Sequence, residues 1–199
     1  MSFRKWLIFD LGQVLVRFDT ATVIRGFEPY SSLSHAQLTE AIVHSALVDR
    51  FERGLLSKAV FIQGLIRGAR LDPGVPHSRY EFLYADIFTP LEGTLRRVKQ
   101  LYQKNKYGIA LLSNTNDLHY DLLRQRWPDV FKYFHRQFLS MRIGLRKPDP
   151  KIFTYVQTQL GVPPRQIKYW DDLPGNIEAA RLRAWHTQLF RDTRDIPTI

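Results

Sequence analysis

LIFDLGQVLVRFD, running from Leu7 to Asp19, sets a carboxylate at the end of an apolar run. Trp6 to Phe9 is short, wholly apolar and soon followed by glycine, the pattern of a strand buried on both faces. Such strands belong to parallel sheets covered by helices. Asp10 then stands at the carboxyl end of the strand, where open α/β sheets bind their ligands. Two residues on, Gly12 offers backbone alone.

The same texture recurs outward from this stretch. Residues 109–112 (IALL), 138–139, 167–170 and 187–190 read as four further strands. Helix-patterned segments separate them. Leu95, Val98, Leu101 and Tyr102 mark one amphipathic face. Residues 117–127 form a second helix, Asp149 caps a third that Gly161 stops, and residues 177–184 form a fourth. Strands alternating with helices predict an α/β fold, a Rossmann-like parallel sheet with helices on both faces.

From Asp19 to about Phe88 the pattern is helical throughout. Ser34-His35-Ala36-Gln37 has capping-box spacing and opens a segment through Ile42 to Phe51, which Gly54 ends. Ser57 caps a second segment, with Val60, Phe61, Leu65 and Ile66 at helical spacing, and Leu71-Asp72-Pro73-Gly74 is a turn. Tyr80 to Phe88 reads as a third helix. The expected organisation is a core of residues 1–17 and 89–199 with a helical insert, residues 18–88.

Three strands end in polar groups: Asp10, Ser113-Asn114 and Asp171-Asp172. Gly144-Leu145-Arg146-Lys147-Pro148 follows the third strand. Converging, these would assemble three carboxylates, a hydroxyl and an amine. Clustered carboxylates repel one another unless a cation sits among them. Oxygen-only ligands suit magnesium, which meets its substrates through phosphate oxygens. A serine hydroxyl and a lysine ammonium can hold the remaining oxygens of a phosphoryl group, and an aspartate can attack phosphorus. Taken singly, each element also fits a turn, a helix cap or a solvated lysine; their order after successive strands is what points to phosphoryl transfer.

FDLGQVLV, LLSNTN, RKPDP and YWDDLPGNIEAA together resemble the four motifs of the haloacid dehalogenase-like hydrolases, over almost the whole chain. The resemblance implies that segment 18–88 is a small helical cap. Within it, FERGLLSKAVF resembles the cap of bacterial sugar-phosphate phosphatases of the alpha-glucose-1-phosphate phosphatase group. It further implies Asp10 as nucleophile and metal ligand, the Gly12 carbonyl as a second Mg²⁺ ligand, and Asp172 as the carboxylate that binds metal directly. Asp171 would support Asp172 or take its place, with Asn176 behind the pair. Ser113 and Asn114 would bind phosphate, and Lys147 would bridge nucleophile and phosphate.

Gly12 departs from the pattern. Phosphatases of this family usually carry a second aspartate there, which protonates the leaving alcohol and then activates water. General acid help is worth typically ~10²–10⁴-fold. A leaving group that departs readily, such as an anomeric sugar oxygen, would lessen the need for it. The expectation is a magnesium-dependent phosphatase of small phosphorylated metabolites, sugar 1-phosphates among them, acting through a phospho-aspartate. Two alternatives remain: a phosphate-binding or interaction protein that has lost turnover through Gly12, and a haloacid dehalogenase, whose halide needs no proton. The dehalogenase leaves the Asp171-Asp172 pair without a purpose.

The composition agrees with this reading. The 199 residues are 44% hydrophobic and contain no cysteine, which excludes disulfides, zinc-thiolate sites and a cysteine nucleophile. No apolar run approaches the ~20 residues of a membrane span, and no leader pattern opens the chain, so a cytoplasmic protein is expected. The net charge of +10 suits an anionic small-molecule partner. Its basic residues are spread rather than blocked, which argues against nucleic acid as the partner. His119 and His186 assemble into no motif and read as packing or surface residues, and Trp170 as core.

Overall fold

The computed structural model describes residues 3–197. In chain order, β1 (Trp6–Phe9) leads to a short strand β2 (Val16–Phe18). Helices α1 (Thr20–Phe27), α2 (His35–Thr39), α3 (Ala46–Glu52), α4 (Lys58–Gly68) and α5 (His77–Ala85) follow, then a short strand β3 (Phe88–Pro90). The remainder is α6 (Glu92–Gln103), β4 (Gly108–Ser113), α7 (Asp117–Arg126), α8 (Asp129–Lys132), β5 (Arg136–Leu139) and α9 (Ser140–Ile143). It ends in α10 (Pro150–Leu160), β6 (Ile167–Asp171), α11 (Pro174–Arg181) and β7 (His186–Leu189).

Five strands form one sheet in the order β5-β4-β1-β6-β7, every neighbouring pair parallel. The chain leaves β1 toward β4 and β5, then returns on its other side to β6 and β7. The carboxyl end of β1 therefore sits where the winding reverses, the place an α/β sheet opens a ligand crevice. Successive β1 residues face opposite layers. Leu7 and Phe9 pack with Val98, Leu101 and Leu123 from α6 and α7. Trp6 and Ile8 pack with Ile152, Phe153 and Val156 of α10. Phe9 stacks on the buried Trp170, ring centroids 4.8 Å apart. Each such buried side chain contributes about 1.5–3 kcal/mol, which is why so short a strand can anchor the sheet.

The insert has its own core, built from Val23, Phe27, Leu38, Phe51, Phe61, Leu65 and Tyr80, and α7 reaches into it through Leu118. Ser34 makes both bonds of its capping box, Ser57 caps α4 and Asp149 caps α10 as expected. Gly54 turns the chain after α3 with φ of +69°, and a β-carbon there would meet the Met141 carbonyl oxygen at 2.0 Å. Only glycine lets the insert press this closely on α9.

Three expectations need correction. The segment from 19 to 88 is not helical to its end: α5 stops at Ala85, and Phe88 pairs with Phe18 in an antiparallel β2–β3 ribbon at the base of the insert. Strands of three residues are too short for alternation to show. The segment through residues 42–51 is broken, because Glu40–His44 forms a π-helical turn and the extended Ser45 starts α3 afresh. The last helix begins at Pro174 and ends at Arg181, displaced from 177–184, since proline is favoured in a first helical turn. No helix among the described residues is long and apolar enough to cross a membrane.

Candidate active site

The sheet gathers the polar strand ends. Asp10 follows β1, and its backbone N–H donates to the Trp170 carbonyl at 2.9 Å, carrying the ladder one residue further. Ser113 ends β4 and Asp171 ends β6, the two neighbours of β1. Lys147 enters from the loop between α9 and α10.

Lys147 is buried and its ammonium donates to three acceptors. Asp10 Oδ1 lies at 2.8 Å, Asp171 Oδ2 at 2.7 Å and the Leu112 carbonyl at 3.0 Å. Three donors meet three acceptors, so the group is saturated. Burial, the largest influence on Lys147, pulls its pKa down, but the two carboxylates outweigh it and hold the ammonium above its ordinary value. Asp10 responds oppositely. Burial raises its carboxyl to about 7, Lys147 opposes that rise and Asp171 adds to it.

The paired aspartates differ in what they touch. Asp171 is fully buried and accepts from Lys147, the Tyr169 hydroxyl, the Leu173 N–H and the Asn176 amide. Burial pushes its carboxyl up, yet Lys147 and these hydrogen bonds hold it below the ordinary carboxylate value. Asp172 is half-buried, and no ion pair reaches it among the described residues. Burial and then Asp171 raise its pKa. Asp10, Asp171 and Asp172 each offer an oxygen within 4.8 Å of the others'. Three carboxylates thus share one ammonium. An oxygen-only cluster with surplus negative charge fits a hard divalent cation such as magnesium.

Asn114 holds the lysine loop. Its Oδ1 accepts from the Lys147 N–H at 2.8 Å and its Nδ2 donates to the Lys147 carbonyl at 2.9 Å. Both ends of the amide hold the loop, and the second Nδ2 hydrogen has no partner among the described residues. Ser113 has only a 3.3 Å contact to the adjacent Asn114 carbonyl, which leaves its buried hydroxyl ready to turn to a ligand. Ser140 bonds both the N–H and the carbonyl of Thr115, fixing the turn after Ser113.

Above Ser113 and Gly12 lies a cavity of about 180 Å³ between sheet and insert. A β-carbon on Gly12 would meet Cε1 of Phe18 at 2.7 Å, so an aromatic ring occupies the space that a side chain at position 12 would need. His119 borders the cavity as a packed, neutral ring. Its Nε2 donates to the Tyr84 carbonyl at 3.0 Å, its Nδ1 accepts from Asn116 at 3.1 Å, and burial drops its pKa to about 4. Glu52 is the one acidic side chain on the cavity wall. Arg146 reaches it at 2.7 Å and Asp49 at 2.6 Å, tying α3 of the insert to the lysine loop.

A family model described as "haloacid dehalogenase-like hydrolase" matches residues 5–182. The chain belongs to the haloacid dehalogenase-like hydrolases. It is 27% identical over 195 residues to pyrimidine 5'-nucleotidase YjjG of Escherichia coli, covering 90% of this chain and 84% of that protein. It is 24% identical to drimenol cyclase drtB of Aspergillus calidoustus, covering 96% of this chain and spanning 34% of that protein's length. Among solved structures, a haloacid dehalogenase family enzyme of Bacteroides thetaiotaomicron with magnesium and inorganic phosphate aligns at TM-score 0.79 with 24% identity, over 92% of each chain. An aspartate-to-alanine variant of that enzyme, also with magnesium and phosphate, aligns at 0.84 with 25% identity, over 94% of each.

In this hydrolase the expected residues Asp10, Ser113, Lys147, Asp171, Asp172 and Asn176 are brought together, with Gly12 at the cavity floor. Glu52, Arg146, Phe18 and Tyr169 escaped sequence reasoning as site residues. Arg146 immediately precedes Lys147 and Glu52 lies in the FERG segment, so adjacency to the motifs was the available signal.

Proposed function

We propose that this hydrolase is a magnesium-dependent phosphomonoesterase in which Asp10 is the nucleophile. What carries the proposal is the Lys147 ammonium set between Asp10 and Asp171, with the Asp172 carboxylate beside them. Lys147 orients the Asp10 carboxylate and offers its charge to the phosphate that arrives. The Ser113 hydroxyl and the Asn114 backbone N–H bind phosphate oxygens. Asp10 attacks phosphorus in line as the bond to the leaving oxygen breaks. Water then attacks the aspartyl phosphate, releasing phosphate and restoring the carboxylate. Asp10, the Gly12 carbonyl and Asp172 would hold magnesium, whose charge balances the carboxylates and the phosphate oxygens.

The relatives lend support: one is named a nucleotidase, another was solved with magnesium and phosphate. Segment 18–88 acts as the cap, clasped through Arg146 to Asp49 and Glu52, and shields the site from water. The test is phosphate release from a panel of phosphate esters with magnesium. EDTA should abolish it, and Asp10→Asn should lower it by at least about 10³-fold while the fold persists. Turnover unchanged in Asp10→Asn, or indifferent to EDTA, would overturn the assignment.

A further inference from the structure

Val23, Ile42, Val43 and Val48 wall the insert side of the 180 Å³ cavity, and Phe18 and Phe88 close the ribbon side. An apolar space of about 150 Å³ is enough to bind benzene. A hexose or nucleoside would set hydroxyl and amide groups against these side chains, each stripped of water without a partner. Of the three ionisable groups on the wall, Glu52 is paired with Arg146, His119 bonds the Tyr84 carbonyl and Asn116, and burial keeps the Tyr84 phenol neutral. Thr20 and Tyr84 add two hydroxyls to a wall that is otherwise mostly apolar, too few to match the ring of hydroxyls on a sugar.

The floor adds an independent constraint. Gly12 supplies no proton to a leaving oxygen, Phe18 fills the space beside it, and both nitrogens of His119 are occupied. An oxygen that leaves unprotonated must carry its negative charge. Phenols, with pKa near ~10, bear that charge far better than aliphatic alcohols.

We infer that the substrates of this site are phosphate monoesters of compact phenols, with one aromatic ring in the cavity and the phosphate at Ser113, within reach of the Lys147 charge. This rests on the phosphomonoesterase reading above. The Asp10 oxygen bonds to phosphorus as the aryl P–O bond breaks. The phenoxide leaves with the electron pair and takes its proton from solvent. Water then cleaves the aspartyl phosphate, so no further reactant is needed.

Four esters separate the contributions: phenyl phosphate, cyclohexyl phosphate, glucose 1-phosphate and uridine 5'-monophosphate, each assayed with magnesium. Phenyl phosphate should exceed both the sugar and the nucleotide in kcat/KM by at least ~10²-fold. Cyclohexyl phosphate should match phenyl phosphate in KM and trail it in kcat. Equal kcat for the two rings would overturn the leaving-group half, and a sugar or nucleotide preferred to phenyl phosphate would overturn the cavity half.

Binding supplies the control on hydrolysis. Phenylphosphonate should bind at least ~10-fold more tightly than inorganic phosphate. Val48→Thr, which adds a hydroxyl to the wall, should weaken phenylphosphonate several-fold and leave phosphate unchanged. If phenylphosphonate keeps that advantage while no ester is hydrolysed, the phosphomonoesterase assignment falls and the aromatic binding class stands. If phenylphosphonate binds no better than phosphate, the aromatic class falls whatever the turnover.

Discussion

A β-carbon on Gly12 and Cε1 of Phe18 would stand 2.7 Å apart, too close to coexist. The absent carboxylate is thus a matter of space as well as sequence. Phe18 is held by its ribbon pairing with Phe88 and by the Gln13 amide, which donates to its carbonyl at 2.8 Å. Gly12→Asp alone should lower kcat/KM for all esters by about 10-fold or more, because the ring must be displaced. Combined with Phe18→Ala, the new carboxylate has room and should flatten the dependence of rate on leaving-group pKa. A series of aryl and alkyl phosphates on the three proteins measures both effects. A flat series in the unaltered protein would show that another group already delivers the proton.

The adjacent aspartates should separate on substitution. Asp171 accepts from Lys147, Tyr169, Leu173 and Asn176 in a fully buried position. Asp171→Asn leaves the ammonium with one carboxylate and should cost about 3–5 kcal/mol of stability. Asp172 is half-buried and makes no ion pair among the described residues, so Asp172→Asn should leave the melting temperature nearly unchanged. It should instead raise the magnesium concentration for half-maximal activity about 10-fold or more. Thermal melts and magnesium titrations of the two variants decide it. The reverse assignment would show as a metal defect in Asp171→Asn and a stability defect in Asp172→Asn.

What could be read in the sequence was governed by distance along the chain. Asp10, Ser113 and Asp171 each directly follow an apolar run, so strand pattern and polar end appear together, and a parallel sheet then brings them to one edge. Lys147 was legible through its order after the third strand. Phe18 beside Gly12 was not, since its place depends on pairing with Phe88, 70 residues away, in strands three residues long. The clasp from Arg146 to Asp49 crosses 97 positions between a core loop and an insert helix. Charged residues that far apart carry no pattern until the fold closes. The break at Ser45 was hidden because apolar residues continue across it, from Ile42 and Val43 to Leu47 and Val48.

Glu52 faces the cavity while Arg146 holds it at 2.7 Å. Burial, its largest influence, raises its pKa, and Arg146 works against that rise. If its role is to clasp the insert, Glu52→Gln keeps the shape and loses the charge. Asp49 still holds Arg146, so KM should rise about 3- to 10-fold with kcat little altered, the effect of losing roughly 1 kcal/mol of ion pair. The leaving-group dependence should stay as it is in the unaltered protein. A steeper dependence in Glu52→Gln would mean that Glu52 had been supplying the proton, and the account of Gly12 would fail.

His119 links stability to pH through its two engaged nitrogens. Its folded pKa of about 4 lies below the ordinary 6.5. Between these values the unfolded chain takes up a proton that the folded chain refuses, so stability rises with pH across the window. The contribution is complete above pH 6.5 and is lost as pH falls toward 4. The shift corresponds to about 3 kcal/mol as an upper bound, reduced because one edge of the ring faces the cavity. His119→Phe keeps the stacking on Tyr84, whose centroid lies 4.8 Å away, but abandons the Tyr84 carbonyl and the Asn116 amide. The variant should be less stable at pH 7 by about 1–3 kcal/mol. At pH 4.5 that gap should narrow, because only the unaltered protein meets the proton penalty there. Urea midpoints for both proteins at the two pH values measure the gap. A gap that stays constant would show that the ring is not neutral in the folded state for the reason given, and that its bond to the Tyr84 carbonyl does not set its tautomer.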